Sequence, residues 1–136
     1  MKYPFRIFLA ILSVFVLTLS ACSNRDASKI QEAEKMIVAN PDSAMTMLRE
    51  VVNPHLLPDS AQALYWLSIA NIHSNLHQSL SEDSMVCWSA DFYLNAWQDI
   101  PQNERTSLLT KRMMKAQMLK VFYYWWINEK ETAYQY

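Results

Sequence analysis

Apolar residues recur every three or four positions along most of this 136-residue chain after residue 28. This spacing is typical of amphipathic helices, and no stretch alternates apolar and polar residues as a strand does. Pro41, Pro54, Pro58 and Pro101 divide the pattern, because proline disrupts a helix interior. The pattern predicts helices over residues 29–39, from 40–43 onward, over 59–76, from 81–84 onward, from 101 to about 126, and an incomplete sixth helix over 129–136.

The same spacing predicts which side of each helix faces the core. Ser28 is expected to cap the first helix, and Asn128 to end the fifth in a left-handed conformation. The predicted fold class is all-α, with consecutive helices as antiparallel neighbours because most links are short. The inward-facing positions are expected to be Ile30, Ala33, Ile37, Ala44, Met47, Leu48, Val51, Ala63, Leu64, Leu67, Ala70, Val86, Ala90, Tyr93, Leu94, Trp97, Leu108, Leu109, Ala116, Leu119 and Tyr123.

The N-terminus has the layout of an export signal. Lys2 and Arg6 precede an uncharged apolar run of 13 residues, 7–19. A helix needs about 20 residues to cross the hydrocarbon core of a membrane, so this run is too short to be an anchor. It ends in Leu19-Ser20-Ala21-Cys22, which resembles the lipobox of bacterial lipoproteins. The resemblance implies lipid transfer to the Cys22 sulfur, cleavage before Cys22 and acylation of the new amine.

These features divide the chain into three segments. Residues 1–21 are expected to be a cleaved lipoprotein signal, 22–27 a lipid-anchored linker and 28–136 the helical domain. Ser23, in place of Asp, resembles the second mature residue of outer-membrane lipoproteins. The expected location is therefore the cell envelope, on the periplasmic face of the outer membrane, with the membrane as one partner through the lipid on Cys22.

Three strings resemble the tetratricopeptide-repeat-like lipoproteins of Gram-negative bacteria. They are Pro41-Asp42-Ser43-Ala44 with Leu48; Glu82-Asp83-Ser84 with Ala90 and Tyr93; and Tyr124, Asn128, Ala133 and Tyr136. The resemblance implies antiparallel helix pairs stacked as a short α-solenoid. Two departures stand in the last string, Lys120 where the repeat has Leu and Val121 where it has Gly or Ala. Either the chain is a truncated relative of longer members or its final turn caps the stack.

Composition excludes several functions. Without residues 1–21 the chain has 10 basic and 13 acidic residues, a net charge of −3, and no basic run, which argues against nucleic acid as a partner. The chain has no glycine, so phosphate-binding loops and nucleophile elbows are excluded. With Cys22 lipidated, Cys87 has no cysteine of this chain to pair with. It is expected to be a buried apolar residue, or alternatively a reactive thiol or one end of an intermolecular disulfide.

No group of residues predicts catalysis. His73 and His77 are four positions apart and share a helix face, but no Cys, Asp or Glu at matching spacing completes a metal site. Ser, His and Asp are present without a triad arrangement. The chain is therefore predicted not to be an enzyme, and to have no metal or cofactor.

Five consecutive aromatic residues occupy positions 122–126. They cannot all lie on one side of a helix, so they either pack between a fifth and a sixth helix or form a binding surface for another envelope protein or peptide. The residues expected in that surface are Phe122, Tyr124, Trp125 and Trp126. The first function predicted is therefore a protein-interaction or scaffold module.

The alternative function is a periplasmic sensor or ligand-binding domain. Helices three to five would then enclose a small apolar molecule in an aromatic pocket. The residues expected to line it are Trp66, Trp88, Tyr93 and Trp97.

Overall fold

The described part of the chain is built from α-helices. A computed structural model describes residues 24–133, with side-chain surroundings for residues 24–128. This part contains five α-helices and no strand, which confirms the all-α class. The helices are α1 (24–36), α2 (Pro41–Arg49), α3 (Asp59–Asn75), α4 (Met85–Asp99) and α5 (Ser107–Ala133). The predicted signal, the lipobox residues and Cys22 lie outside the described residues.

The starts of α2 and α5 show how polar side chains set helix boundaries. The Asn40 side-chain oxygen accepts a hydrogen bond from the Ser43 N–H at 3.1 Å, and Pro41 takes the first helical position, as predicted. Before α5, Pro101 is followed by a single 3₁₀ turn, Gln102–Glu104, rather than by the helix itself. The α5 helix begins only at Ser107, because the Thr106 hydroxyl accepts a hydrogen bond from the Leu109 N–H at 3.2 Å.

Two further predicted helix boundaries are wrong. Residue 24 is already helical, so Ser28 lies inside α1, and part of the segment expected to be a linker is helix. At the other end, α5 passes through Asn128 to Ala133, so no turn at Asn128 separates a fifth from a sixth helix. An interior asparagine costs a helix less than about 1 kcal/mol, and neither glycine nor proline interrupts residues 107–133.

The α3 helix contributes to both parts of the core. The first cluster joins α1 and α2 to one side of α3, where Leu64 and Ile72 are buried. The second joins α4 and α5 to another side of α3, where Leu67 and Ala70 are buried. A helix buried on more than one side has no single apolar stripe. The buried residues that the sequence analysis did not predict are Met45, Leu57, Tyr65, Ser68, Ile72, Leu80 and Ser89.

The α4 and α5 helices are antiparallel. The Trp97 indole N–H donates to the Thr110 hydroxyl at 3.3 Å, and the Gln117 amide donates to the Ala90 carbonyl at 2.8 Å. Lys120 then pairs with Asp91 at 2.6 Å. The contact nearest the start of α5 thus lies near the end of α4, and the two later contacts lie seven and six residues earlier on α4, so the two helices run in opposite directions.

Most predicted inward-facing residues are buried or half-buried, with one clear error. Leu108 leaves 51% of its surface exposed, although its helical spacing matches that of the buried Ala116 and Leu119. It lies in the first turn of α5. Periodicity assigns a residue to a face, but it does not determine how far the neighbouring helices extend along that face.

A bidentate ion pair joins α1 to α5. The Glu34 carboxylate accepts hydrogen bonds from the Arg112 Nε at 2.8 Å and from its Nη2 at 2.6 Å. Both side chains are largely buried, and the hydrogen bonds to Glu34 raise the Arg112 pKa. The pair links residues 78 positions apart in sequence. It therefore stabilises the packing of α1 beside α5 rather than either helix alone.

Replacing Glu34 by Gln is expected to lower the free energy of unfolding by about 1–2 kcal/mol, since the buried guanidinium loses its ionised acceptor. Urea unfolding followed by circular dichroism measures the change. The control is Glu50→Gln, which removes the exposed partner of Lys29 and should leave the transition midpoint nearly unchanged. Equal midpoints for the two variants would show that the Glu34–Arg112 pair does not stabilise the fold.

Candidate partner-binding groove

The five consecutive aromatic residues of α5 lie on different sides of the helix. Tyr123 and Trp126 are half-buried against the second core cluster. Phe122, Tyr124 and Trp125 are exposed over 41%, 51% and 52% of their surfaces. Successive helix residues are rotated by about 100°, so one part of the run packs inward while the rest faces solvent. The predicted packing between a fifth and a sixth helix is wrong, because α5 runs unbroken to Ala133 and the inward part of the run packs against the second core cluster instead.

A groove of about 430 Å³ lies between α5 and the link from α3 to α4. Three of the four residues predicted to form a binding surface meet there, namely Phe122, Trp125 and Trp126. The wall on α5 is completed by Val121. The facing wall consists of Ser74, His77, Gln78 and Leu80. The groove is therefore apolar on its aromatic side and carries polar side chains along the opposite edge.

The facing wall is shaped by the tight turn that ends α3, in which His77 occupies the position where most helices have glycine. His77 has a left-handed backbone, with φ 54°. Its N–H donates to the Ser74 carbonyl at 3.2 Å, and the Gln78 N–H donates to the His73 carbonyl at 2.8 Å. These two bonds form a Schellman ending, which most proteins build with glycine at the left-handed position. Histidine tolerates this conformation better than most residues with a Cβ.

A hydrogen bond between His73 and Asp83 holds the rest of this link in place. The His73 Nδ1 lies 2.8 Å from an Asp83 carboxylate oxygen, and the Asp83 N–H donates to the Leu80 carbonyl at 2.9 Å. Burial raises the Asp83 pKa, and the hydrogen bond with His73 opposes this rise. Leu80, whose carbonyl accepts the hydrogen bond from the Asp83 N–H, has a fully buried side chain. The sequence analysis missed this pair because the ten-residue separation of His73 and Asp83 follows no helical period.

The two histidines do not form a metal site. His77 lies beyond the end of α3, so it does not share a helix face with His73 as predicted from their spacing. Within residues 24–128 no group of three or more His, Cys, Asp or Glu side chains could hold a metal ion.

Tyr124 lies outside the groove, although the sequence analysis grouped it with the other aromatic residues. It faces α4, where a hydrogen bond with Cys87 raises the Tyr124 pKa. Cys87 is half-buried rather than fully buried as expected. Tyr124 therefore provides an exposed aromatic residue of the same helix that takes no part in lining the groove.

The alternative aromatic pocket does not form as predicted. Trp66 packs against Tyr65 in the first cluster, with ring centroids 4.8 Å apart. Trp88 stacks on Phe92 in the second cluster, and Trp97 lies under the Arg105 guanidinium at 3.7 Å. Tyr93, the fourth predicted residue, is fully buried in the second cluster. Trp88 and Tyr93 thus share the second cluster, where both contact Phe92, whereas Trp66 lies in the first cluster and Trp97 beneath Arg105.

No family model, curated protein or solved structure matches this chain. The resemblance to tetratricopeptide-repeat-like lipoproteins therefore stays a prediction from the three sequence strings. Among the described helices, none combines the length and apolar character needed to cross a membrane.

Asp83 is expected to titrate above its ordinary pKa in the folded protein, and higher still in His73→Gln, which removes the hydrogen bond that opposes the rise. A carboxyl with a raised folded pKa favours the folded state when protonated. Its contribution to stability is therefore present below the unfolded pKa, about 3.9, and is lost as the pH rises through the folded value.

Carbon NMR of the Asp83 carboxyl measures its pKa in the unmodified chain and in His73→Gln. Denaturation of Asp83→Asn over the same pH range checks the linkage, since this variant should lose that acid-side dependence. A pKa that is unchanged or lower in His73→Gln would contradict the assignment of the hydrogen bond.

Proposed function

We propose that this protein is a lipid-anchored envelope protein whose helical domain binds an apolar segment of another envelope protein in the α5 groove. The observation that carries the proposal is the groove itself, in which Phe122 and Trp125 are exposed beside the partly buried Trp126. Exposed aromatic residues that line a concave surface are the usual energetic anchors of protein interfaces. The role is one of interaction, without a catalytic step.

The edges of the groove support a protein partner. Ser74, His77 and Gln78 line the side opposite the aromatic residues. Protein interfaces commonly combine an apolar centre with a polar rim whose side chains exchange hydrogen bonds with the partner. An apolar segment with polar flanks would match this arrangement.

The proposed anchor places the domain at the membrane surface. Cys22 is two residues before residue 24, which is already part of α1. Two residues extend over roughly 7 Å, so a lipid on Cys22 would hold α1 close to the bilayer. A partner reached from this position is expected to be another membrane-bound or periplasmic protein, with the outer membrane as the proposed location.

The proposed architecture is a short solenoid of the tetratricopeptide-like kind. It is supported by the antiparallel α4–α5 pair and by the use of α3 in two successive core clusters, since each helix pair of a solenoid packs on the next.

A second candidate occupant is a small apolar molecule. The groove volume of about 430 Å³ falls within the range of small-molecule sites and favours this reading. Such an occupant would change the fluorescence of Trp125 without any protein crosslinking from the groove. This proposal corresponds to the sensor function, at a different site from the one predicted by sequence.

The anchor is tested by replacing Cys22 with Ala. We expect the variant to lose lipid labelling and to leave the membrane fraction, because no other acylated residue is proposed. Cell fractionation and metabolic labelling with a fatty acid measure both effects, and Cys87→Ala is the control, which should stay membrane-bound. A Cys22→Ala protein that is still processed and still sediments with membranes would rule out the lipobox.

The groove is tested with a photo-crosslinking residue at Gln78, on the wall opposite Trp125. In cells, Trp125→Ala should reduce the yield of one defined crosslinked product by about 30-fold, the effect of removing an interface anchor worth about 2 kcal/mol. Tyr124→Ala is the matched control, since Tyr124 is equally exposed on the same helix but does not line the groove.

A second crosslinking position at Leu56, which is exposed in another part of the domain, reports non-specific contacts. The same product from Leu56, or equal losses in Trp125→Ala and Tyr124→Ala, would contradict a partner in the groove. Circular dichroism of both variants checks that they fold.

A further inference from the structure

A second cavity, of about 180 Å³, lies between α1, α3 and α5 and shares no lining residue with the α5 groove. Ser68 of α3 lines it. This serine is 1% exposed, and its hydroxyl has no hydrogen-bond partner among the described residues. A buried hydroxyl without a partner is costly in a folded protein, and native structures rarely keep one without a reason. The Ser68 hydroxyl is therefore available to a ligand in this cavity.

The cavity also has an excess of positive charge. Lys111 and Lys115 lie one helical turn apart on α5, and neither has an ion-pair partner among the described residues. Arg112 lies between them, but its charge is already matched by the bidentate bond to Glu34. Two lysine side chains thus line the cavity without an ion-pair partner among the described residues.

The remaining lining divides into one polar and three apolar residues. Asn71 follows Ser68 by three residues on α3, so both side chains lie on the same side of that helix. Ile37, Leu67 and Leu108 supply apolar surface beside these donors. The cavity can therefore surround a molecule that has one negatively charged end and a short hydrocarbon end.

The donors available here are side chains rather than backbone amides. The polar lining residues of α3 and α5 lie beyond the first turn of each helix, where backbone N–H groups are used within the helix. Leu108 is the one lining residue in the first turn of α5, and no glycine contributes to the cavity. Phosphate sites commonly use the free N–H groups of glycine-rich loops and helix N-termini. A carboxylate accepts about four hydrogen bonds, a number that Ser68, Asn71 and the two lysines can supply.

We propose that the cavity between α1, α3 and α5 binds a short-chain alkyl carboxylate. Ser68, Asn71, Lys111 and Lys115 bind its carboxylate, and Ile37, Leu67 and Leu108 contact its hydrocarbon end. This site is separate from the partner groove and does not depend on the function proposed for it.

The test measures butyrate binding to the full chain, purified in a neutral detergent, by ligand-observed NMR and titration calorimetry. Butyrate should bind, and butyramide, which has nearly the same shape without the charge, should not. Lys115→Gln should weaken butyrate binding about tenfold, the effect of one lost charge-assisted hydrogen bond. Lys35→Gln, at an exposed lysine of α1 outside the cavity, is the matched control and should bind as the unmodified chain does.

Two further variants separate a binding role from a structural one. Ser68→Ala should bind butyrate about tenfold more weakly while raising the Tm of the free protein, because it removes a buried hydroxyl that lacks a partner. Asn71→Asp places a negative charge at a half-exposed position, where folding should be retained, and should abolish binding.

Four results would overturn the proposal. They are butyramide binding as well as butyrate, inorganic phosphate binding equally tightly, Lys35→Gln weakening butyrate binding as much as Lys115→Gln, and the absence of butyrate binding to the unmodified chain.

Discussion

The burial of α3 on more than one side is the constraint on which the rest of the structure depends. Leu64 and Ile72 of this helix pack in the cluster shared with α1 and α2, while Leu67 and Ala70 pack in the cluster shared with α4 and α5. Neither helix pair buries its apolar face without α3, because a pair alone leaves one side of each helix in water. The two core clusters of the described residues are thus organised around one helix.

The ends of α3 and its neighbours are held by polar contacts at defined places. The Glu34–Arg112 pair joins the first and last helices, and the His73–Asp83 pair anchors the link that leaves α3. Both bring together residues that are distant in sequence or outside any helical period. Their effect is to turn a hydrophobic cluster into one specific arrangement of helices, since a charged group with a single correctly placed acceptor disfavours other packings.

The two proposed sites follow from the same arrangement. The link that His73 and Asp83 anchor forms one wall of the apolar groove, and α5 supplies the other. Glu34 and Arg112 both line the cavity between α1, α3 and α5. The Glu34 carboxylate balances the charge of Arg112 and leaves Lys111 and Lys115 without a matching anion in the cavity lining. One face of α5 near its C-terminal half therefore presents aromatic residues, and another face nearer its start presents ammonium groups.

The sequence by itself determined the class of the fold and most of its helices. Prolines and the Asn40 cap locate the breaks, and apolar spacing identifies buried residues such as Ile30, Ala90 and Leu119, because these effects act within a few residues of each other. The same local reasoning fails at Asn128, which was predicted to end the fifth helix, whereas α5 continues through it to Ala133. It predicted three of the groove residues from their aromatic character alone.

Only the tertiary structure decided which surfaces these residues form. It separated Tyr124 from Trp125, left Leu108 half-exposed, and placed Ser68 without a partner beside two lysines of a distant helix. The physical reason is that helical periodicity specifies a direction around each axis, whereas a groove or cavity depends on where another helix ends and how closely it packs. The proposed lipobox is the opposite case, since the resemblance rests on four consecutive residues, ending at Cys22, and needs no fold to be recognised.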